Sequence, residues 1–277
     1  PAETVLDFFT YAGAPAAYSL TTGGGAGIWW DDSDSGFSIS ASYISGNADN
    51  GNPNNNVGTK TSGGGIATDG AASNATVQIA YESDMWGLAA AYSYTSGDNG
   101  AGIYAGNGTP RATWVSQLGS NNNVGLSAWW SPEETGWIPS ISAGWGISKL
   151  SPSNVTVGSG RVANDIIDSA TSQSWYVGLQ WEDAFDEGNV LGIAGGQPTF
   201  VTSVEYDNSY SADDNVADGN YAFELWYKFQ VTDNISVTPA IFYLSRPLGV
   251  FTNSNFEGNG NDTLSTLGGL VRTTFRF

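Results

Sequence analysis

Carboxylates are the only reactive groups that this sequence gathers in number. It has 27 Asp and Glu against 8 Lys and Arg, no His and no Cys, and a formal net charge of −19. Without histidine there is no Ser–His–Asp or Cys–His nucleophile, and the commonest general base and metal ligand are missing. Without cysteine there is neither a thiolate metal site nor a disulfide frame. What remains is clusters of acids. Asp31, Asp32 and Asp34 before Gly36 could open a calcium loop, but the distal glutamate of an EF-hand is lacking and a solvated turn fits better. Glu182, Asp183, Asp186 and Glu187 read the same way. Asp213, Asp214 and Asp218 lie in a long polar stretch and have the chemistry to hold a calcium ion, the weaker reading there. The Glu133–Glu134 pair has glycosidase chemistry in principle, yet it stands in a short turn rather than a cleft. The expectation is therefore no enzyme, no catalytic residue, no metal and no cofactor. So acidic a chain is also a poor partner for nucleic acid.

The elements that position these groups are strands. The composition is rich in Gly (37) and aromatics (Trp 11, Tyr 13, Phe 12), as in β proteins with many turns. In "YAFELWYKFQ" (221–230) Tyr221, Phe223, Leu225, Tyr227 and Phe229 alternate with Ala222, Glu224, Trp226, Lys228 and Gln230. The same period of two runs through 37–43, 74–82, 86–94, 124–130, 137–147, 174–182, 235–243 and 271–277. One face of each segment is apolar and uncharged, while the other is small or polar. No run of about 20 apolar residues offers a transmembrane helix. Alternation alone fits both a soluble sandwich and a membrane barrel.

The connections decide. The short linkers 31–36, 83–85, 131–136, 182–189 and 231–234 alternate strictly with long ones near 46–73, 96–122, 149–172, 207–219 and 246–266. Tight turns at one end and long loops at the other describe an outer-membrane barrel. Trp29, Trp86, Trp130, Trp137 and Trp181 lie close to short turns, and Trp145 and Trp175 flank a long loop, as aromatic girdles at two membrane–water interfaces require. Apolar positions then meet outer-membrane lipid. Glu82, Glu182, Glu224, Trp226, Lys228, Arg272 and Arg276 face the lumen. By the same parity the last strand ends at the periplasmic side, where Phe275 and the terminal Phe277 form the alternating aromatic signal for barrel assembly.

"YAFELWYKFQVTDNISVTPAIFYLSRP", then a loop and "LSTLGGLVRTTFRF", resembles the C-terminal end of cyanobacterial outer-membrane porins, which are related to carbohydrate-selective OprB-type porins and in many cases labelled iron-uptake porins. "GGGAGIWWDDSDSGFSISASYISGNADN" is similar to an earlier hairpin of that family. The resemblance implies an all-β antiparallel transmembrane barrel of 16 strands in the complete protein, of which this chain carries about 11 or 12 as one domain over 1–277. Residues 4–11 are a twelfth strand, or else about five N-terminal strands lie outside the chain and 1–25 is a loop folded into the pore. It further implies a cyanobacterial outer-membrane location with a periplasmic C-terminus, a homotrimer, and contact with cell-wall polymer only through an S-layer-homology domain that this chain lacks. The expected function is passive diffusion of ions and small hydrophilic solutes. The alternatives are a specific carbohydrate or iron-uptake channel, or a surface receptor for phage or adhesion.

Overall fold

The protein is described by a computed structural model covering residues 4–18, 23–46, 66, 73–96, 108–134, 136–153, 156–157, 161–207, 216–253 and 264–276. Eleven strands form one antiparallel meander: β1 (Gly24–Asp32), β2 (Phe37–Ser45), β3 (Ser73–Glu82), β4 (Trp86–Thr95), β5 (Gly119–Trp130), β6 (Ser140–Pro152), β9 (Ile167–Glu182), β10 (Val190–Tyr206), β11 (Tyr221–Thr232), β12 (Ile235–Ser245) and β13 (Ser265–Phe275). Between β6 and β9, β7 (Thr156–Val157) and β8 (Arg161–Val162) pair as a separate small hairpin. β1 and β13 are the two edges of the sheet and do not pair with each other.

Two cross-strand rows show what alternation achieves. Ile28, Ala41, Val77, Tyr92, Val124, Ile147 and Gln173 are successive partners from β1 to β9. One residue along, Trp29, Ser40, Gln78, Ala91, Gly125, Gly146 and Ser174 form the opposite row. The first row belongs to a face on which Ile28, Ile39, Val77, Ile79, Leu88, Leu126, Val177, Ile193, Leu225, Ile241 and Val271 are all exposed. Exposed apolar surface on this scale needs a non-aqueous neighbour. Its aromatic ends carry their own polar satisfaction: the Trp145 and Trp175 indole N–H groups donate to Gln173 and Gln197. At the short-turn end Phe37, Tyr81 and Trp86 follow one another with ring centroids 4.9 Å apart.

The opposite face is where the chain packs on itself. Residues 4–11 are no strand: Asp7–Thr10 is one short helix, α1, and the chain leaves it through Ala12 and Gly13, both at positive φ (52° and 63°). A side chain at Gly13 would also meet the Tyr176 ring at 2.6 Å, so both conformation and space favour glycine there.

At the long-loop end the second helix, α2 (Pro110–Ser116), is capped by Thr109, whose hydroxyl accepts from Ala112 N at 3.0 Å; Pro110 starts it without wasting a donor. The helix buries Ala112 and Val115 against Leu118, Leu150, Ile167, Ala170, Val201 and Val204, which lie on the extended ends of β6, β9 and β10 or just before β5.

Candidate functional site

The inner face is small where the N-terminal segment 4–18 crosses it. Ala14 and Ala17 lie over Gly125, where an added Cβ would stand 2.9 Å from each methyl, and Ala12 presents its carbonyl to Gly144, where a Cβ would stand 1.8 Å from that oxygen. Phe8 and Phe9 fill a buried cluster with Tyr176, Ala194, Ala222, Trp226 and Ala240, drawn from β9, β10, β11 and β12. Burying each phenyl ring contributes on the order of 1.5–3 kcal/mol.

Directional bonds then fix the register of the segment. The Glu224 carboxylate, 1% exposed, accepts from Val5 N at 2.6 Å and Leu6 N at 2.9 Å. Ser174 Oγ donates to Gly13 O at 2.6 Å, and Ser93 Oγ to Ala16 O at 3.1 Å. Burial pushes the Tyr18 phenol above its ordinary pKa, against the opposing effect of its hydrogen bond with Ser127.

These contacts correct two expectations about the lumen. Glu224 and Trp226 do point to the inner face, but each is 1% exposed beneath the segment, so neither meets solvent there. Trp226 finds its room over Gly192, where a Cβ would fall 2.0 Å from the indole. The other inner-face charges include Asp31, Glu82 and Glu182, exposed at the turn ends of β1, β3 and β9, Lys228 and Arg272, half-buried on β11 and β13, and Arg276, exposed just past β13. The three bases thus sit in one sector, β11 to β13, and the exposed acids outside it.

Of the expected girdle, Trp86 and Trp130 are direct partners on the outer face. Trp181 also faces outward and donates to the Trp137 carbonyl at 3.0 Å; Trp137 itself is 97% exposed. Trp29 is a correction. Its partner is Ser40, on the inner row, and its neighbours Ile28 and Trp30 take the outer face. Two adjacent tryptophans on a strand cannot share a face. Phe275 is exposed and pairs with Ile235; Phe277 lies outside the described residues.

Asp213 and Asp214 also lie outside the described residues. Asp218 is fully buried with both oxygens engaged: Oδ2 accepts from Thr109 Oγ1 and Val201 N, and Oδ1 from Val250 N. Its role in the structure is to tie three connections together, the one before α2, the one after β10 and the turn at Gly249–Asn253. Spacing between acids could not show this, because the donors come from elsewhere in the chain.

A meander with an apolar outer face, aromatic ends, long loops on one side and a chain segment held against its inner face defines a porin-type membrane protein. The chain matches the carbohydrate-selective porin, OprB family, over residues 3–277, and it belongs to that family. An uncharacterized protein of Synechocystis sp. is 27% identical over 274 residues, covering 92% of this chain and 43% of that protein. An uncharacterized protein of Nostoc sp. is 32% identical over 187 residues, covering 66% of this chain and 26% of that one. The chain thus spans less than half the length of these curated relatives. In fold it is similar to the anion-selective porin from Comamonas acidovorans, with a TM-score of 0.51 at 10% identity over 89% of this chain and 58% of that one. The family is one of outer-membrane porins rather than enzymes, as the missing histidine and cysteine lead one to expect.

Proposed function

We propose that the protein to which this chain belongs is an outer-membrane channel for passive diffusion of ions and small hydrophilic solutes. In this reading the inner face lines a water-filled lumen and segment 4–18 narrows it. The observation that carries the reading is the clamp of that segment to the wall by the Glu224 carboxylate, Ser174 and Ser93. Backbone held against a barrel wall by buried hydrogen bonds is a fixed obstacle, which selects solutes by size and charge. The long loops then face outward, the end of β13 faces the periplasm, and three copies associate in the membrane. Full-length protein in a planar bilayer is expected to give stepwise, ohmic conductance; absence of steps from protein shown to be folded and inserted would overturn the reading.

Specific carbohydrate passage is the second reading. The family description supports it, and so does Trp129, an aromatic residue on the inner face at a partly open position. Liposome swelling separates the two: a general pore admits sugars and amino acids of one size alike, whereas a specific one favours the sugars.

A further inference from the structure

A recess of about 480 Å3 opens on the inner face toward the short turns, below the point where Ala12 crosses. Its lining includes Trp129, Ser142, Tyr176, Gln180 and Glu182, with Ala12 as the edge contributed by segment 4–18. The Trp129 indole lies over Gly87, where a Cβ would stand 2.3 Å from Nε1; glycine there lets the ring settle against the wall. Gln180 Nε2 donates to Glu182 Oε1, and this bond fixes which way the amide points. The other end of the amide, Gln180 Oε1, is buried and accepts no hydrogen bond among the described residues. A buried acceptor left without a donor is costly, so a small outward turn of the amide to meet a donor brought by a solute is favoured there.

The recess has one formal charge in its lining, the Glu182 carboxylate, and no cation. It therefore offers a carboxylate, an amide oxygen awaiting a donor, serine hydroxyls and an indole. That set answers to one chemistry: an ammonium group, which supplies several N–H donors and a positive charge to a carboxylate and an aromatic ring at once. Neutral hydroxyl solutes satisfy the amide but leave the carboxylate uncompensated. The nearest inner-face base on the same cross-strand row is Lys228, separated from Glu182 by Val190 and hence by two strand spacings, about 10 Å. It moderates the field at the recess without entering the lining.

We infer that this recess, formed by Trp129, Gln180 and Glu182 beneath segment 4–18, is a binding site for small organic ammonium solutes on the turn-end side of the constriction. The inference rests on the inner face being a water-filled lumen, and it adds a preference that passive diffusion does not contain.

Two isosteric probes test it: glucosamine at mildly acid pH, where its amine is protonated, and glucose. In planar bilayers holding full-length protein, glucosamine is expected to interrupt the current at roughly tenfold lower concentration than glucose, a difference of one decade in affinity, and to act faster from the turn-end side. Glu182→Gln and Trp129→Leu should each remove most of that difference, while Trp129→Phe, which keeps an aromatic face, should retain part of it. Calorimetric titration of detergent-solubilised protein reads the same site without any need for conductance. Glucosamine binding lost in Glu182→Gln supports the site even if no channel activity is found, so failure of the channel reading stays separate. Equal effects of the two probes, or block and binding unchanged in Glu182→Gln, would overturn the assignment. Folding of each variant is checked by its β-sheet circular dichroism, and Trp129→Phe keeps the test decisive if Trp129→Leu does not fold.

Discussion

The inner face of β1 to β3 and the inner face of β4 to β12 obey the same alternation and yet are built differently. On β2 and β3 the inner positions include Ser38, Ser40, Ser42, Thr76 and Gln78, all keeping some exposure, with Asn74 buried at the loop end. On the later strands they include Ala91, Gly125, Gly144, Gly146, Ala194, Gly196, Ala222 and Ala240, next to the large Tyr176 and Trp226. The second set reads like a protein core: small residues let segment 4–18 approach, and large ones fill the gaps beside it. The first set reads like a wetted wall. Alternation therefore says which way a residue points, and the composition of the inner row says whether water or polypeptide meets it there.

The largest test of that contrast is Gly144→Val. Its Cβ would fall 1.8 Å from the Ala12 carbonyl oxygen, a distance no local adjustment of a side chain can relieve. The segment must leave the wall at that point, so single-channel conductance should rise severalfold and residues near Ala12 should become open to protease. Ser40→Val, on the bare wall, should change neither. Unchanged conductance in Gly144→Val would mean that the segment does not set the narrowest point.

Arginine at three positions sharpens the same comparison. Leu225→Arg, on the outer face, should cost about 2–4 kcal/mol if it lies near the bilayer midplane. Gln78→Arg, on the bare inner wall, should be nearly neutral. Alternation alone would make Thr238→Arg equally harmless, but Thr238 is 1% exposed, so a charge introduced there is buried and should destabilise as well. Denaturant unfolding in lipid vesicles ranks the three. A tolerant Thr238 would remove the distinction between covered and bare wall.

The sequence carried the strands well and the coverage poorly. The nine alternating segments fall on nine of the eleven strands of the sheet, within a few residues except at their loop-side ends. The sequence reads those ends as loop because they are rich in Ser, Asn and Thr, with apolar residues scattered singly among them. Asn121 and Asn123 look solvated, yet both are buried, and their amides donate to Ser116 O, Gly119 O, Ser93 and Thr95. The same loop-end packing hid α2, which occupies a stretch rich in glycine and asparagine. Alternation puts Glu224 and Trp226 on the face where the structure has them but does not report what covers them, since those residues are separated from them by more than 200 residues of chain. No local pattern reports a contact of that range.

The smallest expected effect concerns charge. The two wall sectors differ in sign as well as in cover: Lys228, Arg272 and Arg276 cluster on β11 to β13, while Glu82, Glu182 and all the short-turn acids but Asp233 stand outside that sector. Glu224 adds little to the open lumen, because its carboxylate faces the backbone N–H groups of Val5 and Leu6. Acids at the mouths raise the local concentration of cations within a Debye length, about 10 Å at 0.1 M salt. The basic sector opposes them at shorter range. With a net charge of −19 and only eight bases, the acids should prevail weakly. Reversal potentials in a salt gradient should then show cation preference at low salt that fades as screening increases. An anion-selective potential at low salt would reverse this ordering and make the basic sector the filter, in which case Arg272→Gln should reduce the anion preference while Glu82→Gln leaves it nearly unchanged.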